Sequence, residues 1–167
     1  CLMPKIESLD RSQSQQRDGL SHQAIEDYVK TIYSLALEES PVSTSRIAVA
    51  RSVKPASATS MIQRLAKLEL VNYEKHYGVT LTESGEKLAL EVIRHHRLLE
   101  LYLMEALGFQ WDEVHEQADI LEHVISEKLE ERIAAALNYP IFDPHGDPIP
   151  NVDGTMAVVS TTALSDL

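Results

Sequence analysis

Cysteine is nearly absent from this chain: Cys1 is the only one. That excludes an internal disulfide, a cysteine-rich zinc site and an iron–sulfur cluster held by this chain alone. No apolar run approaches the ~18 residues needed to span a bilayer, so no membrane partner is expected. No charged-then-apolar leader opens the chain either, which points to the cytoplasm. The first residue is Cys rather than Met, and the end, Thr161 to Leu167, lacks a polar trailing tail. Both features suggest that the natural chain is longer. Positive charge is also short, with 15 Lys and Arg against 26 Asp and Glu, for a net charge of −11.

That deficit is uneven. Residues 1–80 carry ten basic and nine acidic side chains, whereas residues 81–167 carry five and seventeen. Within 43–78 the balance is six basic to two acidic. A phosphate backbone feels local charge within a Debye length of ~8–10 Å, not the total, so a basic stretch inside an acidic protein can still meet DNA. The asymmetry suggests two halves with different tasks. At 167 residues and 44% hydrophobic, the chain can bury one good core or two small ones.

Residues 1–20 are polar, with Ser12, Gln13, Ser14, Gln15 and Gln16 in a row, and read as a mobile arm. From Ser21, Ile25, Tyr28, Val29, Ile32, Tyr33, Leu35 and Ala36 recur at helical spacing to about Glu39. Ser43 caps a short helix over about 44–50, with Ile47 and Ala48 inward. Lys54-Pro55 opens a third helix to about Leu68, Pro falling where its missing N–H costs nothing. Its inner face is Ala58, Met61, Ile62, Leu65 and Leu68; its outer face includes Ser57, Thr59, Ser60, Gln63, Arg64 and Lys67. Residues 70–81 alternate and turn near Gly78, as a β-hairpin does. Helix, short helix, helix, hairpin is the order of a winged helix-turn-helix over 21–82. The third helix would enter a major groove of double-stranded DNA through Ser57, Thr59, Ser60 and Arg64. Lys54 and, on the wing, His76 would meet phosphate.

A mainly α fold follows. Thr82 starts a long helix to about Leu107, stopped by Gly108; its apolar positions include Leu88, Val92, Leu99, Leu103 and Leu107. Another helix runs from Trp111 to about Ile125, and a third acidic one from Ser126 to about Asn138. Residues 140–150 form a proline-rigid connector, and 152–159 add at most a short strand. On the middle helix His115, Asp119, Glu122 and His123 fall at i, i+4, i+7 and i+8, on one face beside an apolar stripe. Polar groups held side by side need a common partner, and a divalent cation serves. His96 and Glu100, at i and i+4, supply further nitrogen and oxygen. A solvated acidic face with incidental histidines is the plain alternative. His95 points about 100° away from His96 and reads as a surface residue; His22 and His145 receive no role.

With these segments in hand, the chain resembles the diphtheria toxin repressor family of metal-dependent transcriptional regulators. The resemblance is carried by Glu26 to Tyr33, Leu81 to Ala89, His96 to Glu100, Val114 to His123 and Asp143-Pro-His-Gly-Asp-Pro-Ile-Pro150. It spans about 21–150 and implies an all-helical metal-binding and dimerisation domain over 83–150. The resemblance implies a regulatory site of Asp27, Asp119, Glu122 and His123, and an ancillary site of His96, Glu100 and His115. In iron-type members Met and Cys stand at the positions of Asp27 and Asp119. The two carboxylates here match the manganese-type branch, and hard oxygen ligands suit Mn²⁺, with Fe²⁺ the alternative. Two departures stand out. Lys30 occupies a position where the manganese-type branch has a further carboxylate, so its closely spaced binuclear arrangement does not transfer unaltered. Long members also add a small β-barrel domain, to which 151–167 would lead, and which donates ancillary ligands; water or residues beyond this chain would then complete that site.

The function implied is a manganese-responsive repressor of metal-uptake genes that binds a palindromic operator as a homodimer, with Leu121, Val124 and Ile125 as candidate interface residues. Two rivals belong to other classes. A metal-dependent hydrolytic enzyme would use the same ligands to activate water, but no spare general base or substrate loop is evident. A winged-helix sensor of a small organic molecule would bind DNA without metal.

Overall fold

The computed structural model describes residues 6–156, with side chains described from Ser21 onward. Six α-helices and one two-stranded sheet follow in the order α1 (Ile6–Ala36), α2 (Thr44–Ala50), α3 (Pro55–Lys67), β1 (Val71–Glu74), β2 (Gly78–Leu81), α4 (Glu83–Leu107), α5 (Trp111–Leu121) and α6 (Glu127–Ala136). The chain divides into two compact units, the boundary falling between Glu86 and Lys87 inside α4.

The first unit is a winged helix-turn-helix. Ser43 caps α2 by accepting the Arg46 N–H, and Ile47 and Ala48 are buried, as the pattern predicts. Pro55 sits in the first turn of α3, where no helical acceptor is lost. Ala58, Ile62 and Leu65 carry its buried face, with Val29, Ile32, Val42, Val71 and Val79 completing the core. Leu68, expected inside, is the C-cap of α3 and is half exposed, because the helix ends before its inner face comes round again. The strands pair antiparallel from Val71 with Leu81 to Glu74 with Gly78. Val42 adds a bridge to Val79, with both main-chain bonds 2.9 Å. Gly78 is required there: its φ is +131°, and a Cβ would stand 2.9 Å from the Val42 carbonyl oxygen.

One expectation fails at the start of the chain. α1 begins at Ile6, so the stretch read as a mobile arm is helical from that residue. Gln, Arg and Leu in this run are good helix formers, and adding turns to an existing helix avoids a second nucleation cost. Ser21, where the sequence pattern begins, is therefore an interior residue of α1.

In the second unit, Leu98, Leu99, Ala118, Ile133, Ala134 and Ile149 form the core, with Tyr102, Leu121, Ile125 and Leu137 packed against it. Two of the three candidate dimer residues, Leu121 and Ile125, thus serve this unit's own interior; Val124 is exposed. α5 ends at Leu121 rather than near Ile125. Its last turn tightens through Val124 N–H to Leu121 O (3.1 Å), and Ser126 then caps α6 through the Leu129 N–H. β-branched Val124 and Ile125 ahead of a strong N-cap favour that break. The connector is tied from α4: Arg94 donates to Pro150 O (2.9 Å), and Arg97 to Pro148 O. Of the expected strand over 152–159, residues 152–156 form none, and the rest lies outside the described residues. Among the described residues no helix is long and apolar enough to cross a membrane.

Gly85, in the first turn of α4, has almost no room. A Cβ would stand 1.9 Å from the Leu70 carbonyl oxygen, a main-chain atom that cannot swing aside. Gly85→Ala is expected to destabilise the winged unit by about 2–3 kcal/mol, at the upper end for overpacking by one methyl. Urea denaturation checks this, and a loss under 0.5 kcal/mol would show that the two segments part easily.

Candidate functional site

The second unit gathers the ligand-type side chains. Its convergence begins on α4, where His96 and Glu100 face the same way one turn apart. Glu100 is 1% exposed, and its Oε1 lies 3.0 Å from both His96 Nε2 and His115 Nδ1. Those two ring nitrogens are 3.1 Å apart. His96, Glu100 and His115, expected to form one site, therefore do converge. The other nitrogen of His96 faces the second expected set: Nδ1 is 2.6 Å from Glu122 Oε2 and 3.2 Å from Asp119 Oδ1. His123 Nε2 lies 3.3 Å from Glu122 Oε1. Single atoms of His96, His115 and Asp119 lie within 4.8 Å of one another, close enough to share a metal ion.

Glu122 and His123 reach this place differently from the helical spacing. α5 has ended, Glu122 is its C-cap and His123 lies in the following turn. Because Glu122 keeps αR geometry (φ −58°, ψ −25°), its side chain still leaves on the face that Asp119 occupies. It is 2% exposed.

A second convergence was not anticipated. The other oxygen of Glu100, Oε2, lies 3.5 Å from His145 Nδ1, which is 3.3 Å from Asp143 Oδ2. Glu100, Asp143 and His145 thus also offer three atoms within 4.8 Å. Asp143 is buried and shapes the loop, its Oδ1 accepting the N–H groups of His145 and Asp147, each at 2.8 Å. The Asp143-Pro-His-Gly segment was a visible signal, but nothing local in it says which distant carboxylate it meets. Asp143 and His145 stand on the far side of Glu100, so this chain itself brings two further ligand-type side chains beside the expected ancillary set.

Both convergences fit a divalent cation by the chemistry of their donors. They offer imidazole nitrogens and carboxylate oxygens without sulfur, and a carboxylate as buried as Glu100 is costly to ionise in isolation. Burial pushes the Glu100 carboxyl up, but hydrogen bonds from His96 and His115, with the nearby His96 and His145 rings, outweigh it and hold the group below its usual range. A carboxyl ionised in advance is the form a cation binds.

His95, read as a surface residue, is buried. Its Nε2 is 2.9 Å from Glu130 Oε2 and its Nδ1 3.2 Å from the Glu122 carbonyl oxygen. A carbonyl can only accept, and Glu130, which also accepts from Arg94 Nε, is ionised. Both ring nitrogens can donate at once only in the protonated ring, so this arrangement favours the cationic form of His95. Burial works against the charge, yet the Glu130 hydrogen bond and charge prevail and raise its pKa above 6.5. The His95 hydrogen bond is the largest effect on Glu130, whose carboxyl is held below 4.5. His95 does face away from His96 on α4, but Glu130 of α6 and the end of α5 lie against that side. The network fixes the main chain of Glu122 from α4 and α6 together.

In the first unit, Asp27 is partly buried on α1, 3.4 Å from Arg51 Nη2. His22 pairs with Glu26 at 2.8 Å. On α3, Lys54, Ser57, Ser60 and Arg64 are exposed, while the Thr59 hydroxyl donates to Pro55 O (3.0 Å) within its own helix. His76 is exposed in the wing turn with φ +67°.

The pH dependence of the Arg94–His95–Glu130 network follows from these directions. The Glu130 contribution is full above about 4.5 and is lost as pH falls through its lowered pKa; the His95 contribution is full below 6.5 and is lost as pH rises through its raised pKa. Removing one partner of a buried pair costs about 3 kcal/mol, so Glu130→Ala is expected to destabilise by that order, most strongly between pH 4.5 and 6.5. Urea melts of both proteins across pH test it; a difference that stays flat from pH 4 to 9 would contradict the charge assignment.

Comparison with known proteins agrees with this geometry. Residues 21–79 match the family model for the iron dependent repressor N-terminal DNA binding domain, and residues 82–151 the one for the iron dependent repressor metal binding and dimerisation domain. The iron-dependent repressor IdeR of Mycobacterium tuberculosis is 37% identical over 129 residues, 76% of this chain and 55% of that protein. The HTH-type transcriptional regulator MntR of Oceanobacillus iheyensis is 34% identical over 116 residues, 70% of this chain and 78% of that protein. A solved manganese-dependent transcriptional repressor in complex with manganese superposes with a TM-score of 0.72 at 45% identity, covering 79% of this chain and 61% of that one. The chain thus spans little more than half the length of some relatives. A winged helix-turn-helix unit, a helical unit that converges carboxylates and imidazoles, and these relatives agree: the chain belongs to the diphtheria toxin repressor family of metal-dependent transcriptional regulators, a family of DNA-binding proteins and not of enzymes.

Proposed function

We propose that this protein is a manganese-responsive, metal-activated repressor of metal-uptake genes that binds a palindromic operator as a homodimer in the cytoplasm. The observation that carries the reading is the convergence of His96, His115 and Asp119 beside buried Glu100 and Glu122, in a chain whose other unit presents a winged helix. The ancillary ligands proposed are His96, Glu100 and His115, with Asp143 and His145 added beyond Glu100. For the regulatory set we propose Asp119, Glu122 and His123 together with Asp27, which the family resemblance adds from the first unit. On the reading head, Ser57, Ser60 and Arg64 are proposed to face bases, with Lys54 and His76 on phosphate. Thr59 is proposed beside them: while its hydroxyl donates to Pro55 O, its oxygen can still accept from a base amino group.

The working principle is electrostatic. Like carboxylates at 4 Å repel by about 4 kcal/mol per pair at an effective dielectric near 20, so ionised Asp27, Asp119 and Glu122 resist being gathered. A bound divalent cation supplies the positive charge that reverses this balance. The helix bearing Asp27 also carries Tyr28, Val29 and Ile32 of the winged unit's core, so holding Asp27 constrains the reading head. Moving a two-state switch from 1:99 to 99:1 needs about 5.5 kcal/mol, or about 2.7 kcal/mol per subunit of a dimer.

Manganese is favoured by the donor set, in which oxygen and imidazole stand without sulfur. The likeness to the iron-dependent repressor supports iron(II) as the second reading. Mobility shift of a candidate operator, with a panel of divalent ions and a chelator control, tests the function. Binding is expected only with ion, and equal affinity after chelation would remove the metal-responsive reading.

Metal preference has its own test. Asp27→Met with Asp119→Cys replaces two hard oxygens by sulfur. The Mn²⁺ concentration required for DNA binding is expected to rise relative to Fe²⁺ under anaerobic conditions. An unchanged ratio would mean that these positions do not set the preference.

A further inference from the structure

His145 differs from its neighbours in how it is held. His96, Glu100, His115 and Asp119 stand on α4 and α5, where the helix restricts the directions a side chain can take. His145 stands in the loop after Asp143, and its side chain is 36% exposed. A loop imidazole has rotamer freedom to lose when it ligates an ion.

What packs on it is Trp111, the only tryptophan in the chain. The two ring centroids are 4.1 Å apart with planes inclined at 52°. That is closer than the ~4.5–7 Å usual for aromatic pairs, so the two rings are in direct, tilted contact. Trp111 is itself 54% exposed, so burial in the hydrophobic core does not account for its position. It is also the first residue of α5, the helix that carries His115 and Asp119. The stack therefore joins the loop bearing Asp143 and His145 to a helix bearing two other candidate ligands. On the polar side of the same imidazole, Nδ1 lies 3.3 Å from Asp143 Oδ2 and 3.5 Å from Glu100 Oε2.

We propose that Trp111 is a positioning residue for a divalent-cation site formed by Glu100, Asp143 and His145, holding the His145 imidazole in its ligating orientation before the ion arrives. The proposal rests on the metal-binding reading above. The indole needs no contact with the ion. Its effect is to remove in advance the orientational freedom that ligation would otherwise have to remove, and any planar aromatic ring of sufficient size does this in part. Alanine cannot.

Calorimetric titration with Mn²⁺ on the full chain tests this in the wild type, Trp111→Ala, Trp111→Phe, His145→Ala and His123→Ala. The class of ion weakened in His145→Ala is expected to bind roughly three- to tenfold more weakly in Trp111→Ala, as suits the loss of one aromatic pair. The class weakened in His123→Ala is expected to be unchanged, and Trp111→Phe to stay within about twofold of wild type. Emission from the single tryptophan is expected to change on Mn²⁺ addition in the wild type, and that change to disappear in His145→Ala. Equal weakening of both classes, or equal weakening by Phe and Ala, would reduce Trp111 to a general structural role and overturn the proposal. If Trp111→Ala failed to fold, wild-type emission would decide: saturation with Mn²⁺ without any change in emission overturns it. A wild type that takes up no Mn²⁺ overturns the metal-binding reading as well. Uptake with an indifferent Trp111→Ala overturns this inference alone.

Discussion

Two carboxylates buried among imidazoles, Glu100 and Glu122, are the constraint on which the second unit depends. An ionised carboxylate out of water is stable only beside groups that compensate its charge. The unit supplies imidazoles from α4, α5 and the connector loop, all directed at the same small volume. That supply dictates much else. Two helices must present ligands toward each other, and the loop after Phe142 must turn back far enough for His145 to reach Glu100. The same imidazoles that satisfy these carboxylates are nitrogen donors, so one arrangement serves both the folded chain and a bound cation.

A second buried charge cluster supports the first. Glu130 on α6 accepts from Arg94 and from His95 on α4, and His95 reaches the carbonyl of Glu122. The end of α5, where helical carbonyls run out of partners, is thereby completed by a side chain from another helix. Arg94 also holds the carbonyl of Pro150, so a single network spans α4, α5, α6 and the connector. Supporting groups of this kind orient metal ligands without touching the ion. The winged unit solves a different problem. Gly78 and Gly85 let main chain approach main chain, and the apolar face of α3 leaves Ser57, Ser60 and Arg64 outward.

Local chemistry made most of the elements readable. Ser43, Lys54-Pro55 and Gly108 mark helix ends by capping and by φ preference, effects that act within a few residues. The i, i+4 spacing of His96 with Glu100 and of His115 with Asp119 put each pair on one face, because a straight helix leaves no alternative. Alternation over 70–81 announced the hairpin for the same reason. Where local rules gave the wrong answer, the competing influence was also identifiable. The polar run before Ser21 has no breaker strong enough to stop a helix already formed after it, so α1 starts at Ile6. α5 stops at Leu121 because the cap of α6 competes with its last turn.

Other features were settled only by packing between distant segments. His95 is about 100° from His96 on the same helix, and nothing in the sequence says that α6 and the end of α5 cover that side. Leu121 and Ile125 look alike whether they face a partner or their own core; only the fold shows that both pack against that core. Asp143 and His145 lie more than forty residues from Glu100, a separation at which spacing carries no directional information. The ligand-rich character of this chain was therefore determined by its sequence, through residue type and helical period. Which oxygen of Glu100 meets which imidazole was decided by tertiary structure, because it depends on where one loop returns to one helix.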